Sequence, residues 1–265
     1  ALTISYDDGL WSDVHLLEIL NRYGIRGTFN LNSGCMTEER RIGKEKIPAL
    51  YKGHEIATHG VKHLTLARCP MTDVVKEILE DRQALEGLTG EIVCGHAYPN
   101  GSYSPEIKTL LPSLGIHYAR TATDTGLYTH PQDFYEWNPT CHHNNRLMYH
   151  AKEFLSFDLP QFQYLFYVWG HSYEFDRDNN WYVIEEFCKM IGGREDIWYA
   201  TNAEVCHYLM AVKQVHTSVD EKLLFNGSGQ DIYLIRNGEN ILLRPGELQR
   251  IHSPESHGKL RKIVL

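Results

Sequence analysis

Five side chains able to support hydrolytic chemistry fall in three short stretches: Asp7 and Asp8, then His59 and His63, then His171. The aspartates close the run A-L-T-I-S-Y-D-D-G, where Leu2, Ile4 and Tyr6 alternate with Thr3 and Ser5 as in a strand. Successive side chains on extended backbone leave on opposite sides, so one aspartate can hold a cation while its neighbour faces a reacting group. Asp8-Gly9 is also ordinary turn chemistry, and a strand-end turn accounts for this stretch taken alone. His59 and His63 stand four apart in H-G-V-K-H, a spacing that lets both imidazoles grip one metal from a single helical turn. Two imidazoles and a carboxylate leave coordination positions open, as catalytic zinc sites do. Two unrelated polar histidines in a loop are the alternative.

The surrounding pattern would set these stretches side by side. Trp11 to Tyr23 reads as a helix capped by Ser12 or Asp13, with Val14, Leu17 and Leu20 on one face and Gly24 as its stop. Arg26 to Leu31 reads as a strand, Glu38 to Lys52 as an interrupted helix, and His54 to Thr58 as a short strand feeding H-G-V-K-H. Thr72 is expected to cap a helix through Leu85, with Val75, Ile78, Leu79 and Leu85 towards the core. Glu91 to Tyr98 is a strand ending at Pro99, Asn100 and Gly101; Pro105 to Gly115 is a helix, and Ile116 to Thr121 a strand. Thr123 to Asn145 reads as a long loop with one short strand, in which His142 and His143 are loop polar groups rather than ligands. A helix over Arg146 to Phe157 precedes the most apolar strand, Tyr164 to Trp169, which runs into Gly170-His171. A helix over Trp181 to Ile191, a strand over Ile197 to Ala200, and a helix capped by Asn202 and reaching Val215 complete the pattern. About seven strand–helix alternations predict an α/β fold with a parallel sheet, open or closed into a barrel. In such a barrel the strand ends that carry these residues gather at one face.

From Lys222 the texture changes to short strands at Leu223–Phe225, Ile232–Ile235, Ile241–Leu243, Leu248–Ile251 and Lys262–Leu265, separated by turns as in a β-meander. The chain thus divides into 1–215 and a β-rich extension over 216–265 that packs on the barrel. A partner-binding role for this extension would predict a dimer lost on deletion after residue 220. A net charge of −8 and a pI near 6.0 argue against nucleic acid or an anionic membrane as the main partner. No stretch approaches the roughly 20 apolar residues of a membrane helix. The first strand begins at residue 2 with no signal peptide before it, and six scattered cysteines without C-x-x-C read as reduced thiols. Together these point to a cytoplasmic protein. The 15 histidines favour metal binding, and 16 tyrosines with five tryptophans suit a sugar-binding surface.

The combination S-Y-D-D-G (Ser5 to Gly9), H-G-V-K-H (His59 to His63), A-Y-P-N-G (Ala97 to Gly101) and W-G-H (Trp169 to His171) resembles the polysaccharide deacetylases, the NodB-homology enzymes of carbohydrate esterase family 4. The resemblance runs from the first strand to about residue 210, and its first two motifs are specific as a pair. It implies a distorted (β/α) barrel, often seven-stranded, and metal-dependent removal of acetyl groups from sugars. Asp8, His59 and His63 then correspond to the metal triad, Asp7 to the general base and His171 to the general acid. Zn²⁺ is the expected ion, with Co²⁺, Ni²⁺ or Mn²⁺ as alternatives, because two imidazoles and a carboxylate discriminate poorly among them. The Asn100 N–H would add a donor to the tetrahedral oxyanion, while Tyr98, Pro99 and Trp169 would line the acetyl or sugar pocket.

One departure stands out. The family's third motif commonly carries an arginine at the position of Ala97, where it orients the base. Asn100 also replaces a frequent tyrosine, and Trp137 is the candidate for the fourth motif. A deformylase or other C–N hydrolase would use the same groups. A non-catalytic sugar-binding scaffold is the reading that the missing arginine favours.

Overall fold

The computed structural model describes residues 1–158, 163–236, 239–251 and 260–262. Strand β1 (Leu2–Asp7) is buried along its whole length, so its alternation does not separate core from solvent. Leu2, Ile4 and Tyr6 join an apolar cluster with Leu16, Leu20 and Phe187. Thr3 and Ser5 enter a polar network instead. Thr3 Oγ1 donates to Asn202 Oδ1 at 2.7 Å, and Asn30 Nδ2 donates to Ser5 Oγ at 2.8 Å. Asp7 continues this second row by the two-residue period of a strand.

Strands β2 (Thr28–Leu31), β3 (Glu55–Thr58), β4 (Gly95–Ala97), β5 (Tyr118–Arg120), β6 (Cys141–His142) and β7 (Phe166–Gly170) join β1 in the order β5-β4-β3-β2-β1-β7-β6. Every pairing in this sheet is parallel. The connecting helices are α1 (Ser12–Arg22), α2 (Ile47–Leu50), α3 (Met71–Thr89), α4 (Pro105–Leu110), α5 (Leu147–Leu155), α6 (Tyr173–Arg177), α7 (Trp181–Ile191) and α8 (Asn202–Val212). Among the described residues β5 and β6 do not pair directly. The chain from Trp137 to His143 spans the gap instead. Trp137 N–H donates to Ala119 O at 3.0 Å beside β5, while Thr140 N–H and His143 N–H reach Tyr167 O and Trp169 O of β7 at 2.8 Å each. The sheet is a curled half-barrel of seven strands, the distorted (β/α) barrel expected from the sequence. None of the described helices is long and apolar enough to cross a membrane.

Several local expectations are corrected by tertiary contacts. Neither Ser12 nor Asp13 caps α1: Ser12 donates to Asp176, and Asp13 accepts from Tyr51 Oη at 2.6 Å and Ser172 Oγ at 2.5 Å. Helix α3 has no side-chain cap from Thr72, and it turns Val74, Ile78, Asp81 and Leu85 inward, leaving Leu79 40% exposed and Val75 half-buried. The buried Asp81 carboxylate accounts for that rotation, since it accepts the N–H of Ser33 at 2.7 Å and of His59 at 3.0 Å. Thr201, not Asn202, caps α8 through a capping box with Glu204, and the helix stops at Val212. Ile197–Ala200 forms only an isolated bridge, Leu2 to Tyr199, and 38–52 holds a single 3-10 turn before the short α2.

The last part of the chain forms two antiparallel sheets rather than a meander. Strands β8 (Val215–Thr217), β9 (Leu223–Asn226) and β12 (Leu248–Arg250) make one, in the order β12-β9-β8. Strands β10 (Ile232–Arg236), β11 (Glu239–Leu243) and β13 (Leu260–Lys262) make the other, in the order β11-β10-β13. Leu224, Ile232, Leu234 and Leu243 share a core with Tyr208, Ala211 and Val212 of α8. Of the strand expected over 262–265, only Lys262 lies within the described residues.

At the end of β7 the backbone passes against a buried ring. A Cβ on Gly170 would stand 2.0 Å from His143 Nδ1, and that imidazole is stacked between Tyr6 and Phe175, with centroids 5.6 and 4.2 Å away. Gly170→Ala is therefore expected to cost about 1–3 kcal/mol through overpacking. Urea unfolding reads this as a lower midpoint; an unchanged midpoint would mean that His143 has room to yield.

Candidate active site and metal centre

Asp7 ends β1 on the polar row, fully buried. Asn30 Nδ2 donates to its Oδ1 at 2.8 Å, and Arg120 Nη2 donates to its Oδ2 at 2.5 Å. His59 Nε2 and His171 Nε2 each stand 3.8 Å from Oδ2. Burial alone would raise the Asp7 pKa, but Arg120, then His59, His171 and the Asn30 amide, outweigh it and hold the carboxyl at about 2. The base candidate is thus an ionised carboxylate at any ordinary pH.

Arg120 answers the departure at residue 97. Ala97 of β4 and Arg120 of β5 are register partners, so a guanidinium one strand further along the sheet serves the aspartate. Its planar group lies 4.5 Å from the Trp169 ring, whose Nε1 is fixed by Asp124 Oδ1 at 2.7 Å.

Asp8 lies one residue past Asp7, its backbone in the left-handed region at φ 83° and its N–H bonded to Asn30 O at 2.9 Å. Ligand atoms of Asp8, His59 and His63 all lie within 4.8 Å of one another. His63 Nε2 is 3.9 Å from Asp8 Oδ1, and Arg41 reaches the same oxygen at 3.5 Å while donating to the Asp8 carbonyl. His59 Nδ1 donates to Ala97 O at 2.8 Å, which turns Nε2 towards the cluster. Backbone-held imidazoles of this kind are the usual support of metal ligands. Burial lowers the His59 pKa to about 4, so the ring is neutral and its lone pair free. The donor set suits a divalent transition ion.

His171 follows β7 and belongs to a second group with His142 and Glu174. Glu174 Oε2 stands 3.0 Å from His142 Nε2, 3.3 Å from His143 Nε2 and 3.7 Å from His171 Nδ1. Burial works against a charged His171, yet Glu174, Asp7 and Asp8 together raise its pKa above the usual value. At 3.7 Å the Glu174 contact acts by charge attraction rather than as a formed hydrogen bond. A histidine of raised pKa beside an ionised carboxylate is a pair suited to giving and taking a proton.

The third motif is placed less simply. Tyr98 is buried, stacked on Tyr103, and its hydroxyl donates to Tyr135 O at 2.8 Å, so its side chain packs beneath the loop instead of facing an open pocket. Pro99 is buried beside Gly60. Asn100 is exposed, with φ 56°, and its amide donates to Thr65 Oγ1 at 3.1 Å. Trp137 is core, packed on Tyr118, Phe134 and Tyr167. A cavity of about 690 Å³ is lined by Leu10, Trp11, Arg40, Tyr173, Asp176 and Arg177, and the Tyr173 ring stands 5.4 Å from that of His171.

Sequence reasoning missed Arg120, Asn30, Glu174 and His142. Arg120 and Glu174 carry no motif; Arg120 meets Asp7 only once distant strands are neighbours, whereas Glu174 stands three residues after His171, and that spacing was the available signal. The C-H-H run at Cys141–His143 was the signal for His142; His143, read as loop, is instead a buried ring in the core.

The Asp7–Arg120 pair makes a prediction that can be checked without a substrate. Arg120→Met leaves a buried carboxylate unpaired and is expected to cost about 3–5 kcal/mol near neutral pH. Because the folded Asp7 pKa is depressed from 3.8 to about 2, the pair's contribution is complete above the first value and lost as pH falls through the second. The stability gap between wild type and variant should therefore close on acidification, beginning above pH 3.8, where the variant's buried Asp7 takes up a proton without its cation, and ending near pH 2. A gap that stays constant in denaturant titrations at several pH values would locate the loss elsewhere.

A sequence profile of the polysaccharide deacetylases matches residues 1–119. Among solved structures, a Mycobacterium smegmatis protein assigned as a polysaccharide deacetylase aligns with TM-score 0.58 and 17% identity over 80% of this chain and 91% of its own. A carbohydrate esterase family 4 pseudoenzyme from Bacillus anthracis aligns with TM-score 0.50 and 13% identity, over 77% and 64%. A Streptococcus pyogenes deacetylase solved with acetate aligns with TM-score 0.48 and 17% identity, over 51% of this chain and 61% of that one. At these identities the first two structures, with TM-scores of 0.58 and 0.50, speak to fold alone. Residues 1–119 thus match the sequence profile of the polysaccharide deacetylases, and the half-barrel has the fold of the Mycobacterium smegmatis structure.

Proposed function

We propose that this chain is a metal-dependent hydrolase removing O- or N-linked acetyl groups from carbohydrate, with oligosaccharides such as xylo-oligosaccharides as substrates. The observation that carries the reading is the placement of ionised Asp7 3.8 Å from a histidine of raised pKa, His171, beside the Asp8–His59–His63 set. A divalent cation held by Asp8, His59 and His63, with Zn²⁺ first in order and Co²⁺, Ni²⁺ or Mn²⁺ as alternatives, supplies Lewis-acid polarisation and a lowered pKa for water.

The chain's own groups do the rest. Asp7 accepts a proton from the water that attacks the acetyl carbonyl, and Arg120 and Asn30 hold the carboxylate for that transfer. The Asn100 N–H, presented by a left-handed turn, donates to the developing oxyanion. His171 gives its proton to the departing sugar oxygen or nitrogen, and Glu174 keeps that proton in place beforehand. Acetate and the free hydroxyl or amine leave. Trp11 and Tyr173 supply aromatic faces in the adjoining groove, and Arg40, Asp176 and Arg177 supply hydrogen-bonding groups for a sugar. Residues 1–215 form the catalytic unit in this reading, and 216–265 the extension. Six free cysteines agree with a reducing compartment, hence the cytoplasm.

The scaffold reading loses its motive, since Arg120 supplies the cation that Ala97 lacks. The decisive assay measures acid release from acetylated xylo-oligosaccharides, from N-acetylglucosamine oligomers and from a formylated sugar, with and without chelator. Acetate is expected, abolished by chelation. Asp7→Asn should lower turnover by about 100- to 10,000-fold while cation binding persists. No acid from any substrate with metal present would overturn the proposal.

Glu174→Gln gives a second check through pH. Removing that charge lowers the His171 pKa, so the alkaline limb of kcat/KM should move to lower pH. A limb that does not move would exclude Glu174 as the group holding the acid's proton.

A further inference from the structure

The opposite end of the sheet holds a third group of ligand atoms, one that the proposed catalysis does not use. Cys94 immediately precedes β4 and His117 immediately precedes β5, and the His117 N–H bonds to Cys94 O at 2.7 Å. These are strand beginnings, whereas the catalytic residues follow strand ends. His207 reaches them from α8. Its Nε2 lies 2.8 Å from His117 Nδ1 and 3.7 Å from Cys94 Sγ, and the three donor atoms lie within 4.8 Å of one another.

We propose that Cys94, His117 and His207 form a binding site for a thiophilic transition cation of the Zn²⁺ class, separate from the catalytic centre. A tetrahedral zinc ion holds a thiolate sulfur and an imidazole nitrogen roughly 3.6 Å apart, and two imidazole nitrogens roughly 3.3 Å apart. The Cys94–His207 separation already has the first value within 0.1 Å or so. The imidazole pair must open by about half an ångström, which the exposed His117 ring can do. Elements from three parts of the chain would be tied together: the starts of β4 and β5, and α8 with the C-terminal sheets packed on it. A cavity of about 420 Å³ borders the site, lined by His117, His207, Met210, Gln214, Ser228 and Gln230, and it gives the ion a path and a fourth coordination position.

Protonation follows from the surroundings. Burial lowers the pKa of His207 and raises that of the Cys94 thiol to about 12. Ligation by sulfur requires the thiolate, so an incoming cation displaces the thiol proton. Without a cation the two imidazoles share a hydrogen bond, which is the alternative reason for their contact.

Cobalt separates the two explanations, because a thiolate ligand gives a near-ultraviolet charge-transfer band that the sulfur-free Asp8–His59–His63 set cannot produce. The metal-free chain titrated with Co²⁺ should develop that band within two equivalents, one of them filling the Asp8–His59–His63 set without contributing to it, and Zn²⁺ should bleach it. Cys94→Ser should abolish the band, whereas Cys206→Ser, on the adjacent helix position, should retain it. His117→Ala removes an exposed side chain, leaves the fold intact by circular dichroism, and should weaken the cobalt affinity by about tenfold or more. Absence of the band in wild type, its survival in Cys94→Ser, or unchanged affinity in His117→Ala would each overturn the site. Should Cys94→Ser fail to fold, His117→Ala decides alone.

Discussion

The buried pair of Asp7 and Arg120 is the constraint on which the rest of this architecture depends. Three strands separate β1 from β5 in the sheet, yet the carboxylate and guanidinium meet at 2.5 Å. Only a sheet curled well towards closure can bring an edge strand across to a central one. The pair in turn makes the curl specific, because a buried carboxylate without its cation costs several kcal/mol. The register of β4 and β5 sets where the guanidinium stands, and Trp169, held by Asp124, covers its face. Strand pairing, sheet closure and the ionisation of Asp7 are one problem with one solution.

Further buried carboxylates fix the loops that carry the ligands. Asp81 of α3 accepts the backbone N–H groups of Ser33 and His59, and Asp13 of α1 accepts the hydroxyls of Tyr51 and Ser172 beside His171. Burial raises both pKa values to about 7, in contrast to Asp7, because no cation lies against either. Carboxylates of one chemical type thus take two protonation ranges according to their neighbours. The pair near 7 act as acceptors for loop groups, while the depressed one is left to handle a proton. Asn32 adds two bonds to the same loop, to His59 O at 2.6 Å and Gly60 O at 2.9 Å.

Much of the site was legible because its residues cluster at strand ends, where hydrophobic runs stop abruptly. Y-D-D-G and H-G-V-K-H each contain their own spacing, and the V-W-G-H run marks its strand's end without ambiguity. The inner row of β1 was harder to read. Thr3 and Ser5 look like solvent-facing positions, but a curled sheet has a polar interior, so they bond to Asn202 and Asn30 instead. The same effect misplaced the face of α3, where a buried Asp81 outweighs an exposed Leu79. Helix caps failed for a related reason: Ser12 and Asp13 have better partners far away in the chain.

Sequence alone determined the alternation of strand and helix, the order of the motifs, and the placing of two adjacent carboxylates at the end of the first strand, since each follows from local period and residue type. Tertiary structure alone decided which cation holds Asp7, that His142 meets Glu174, and that Tyr98 packs into the core. Those outcomes depend on through-space distances between residues up to 113 apart in the chain. No local pattern encodes them, because electrostatic interaction follows separation in space and exclusion of water, not position along the backbone.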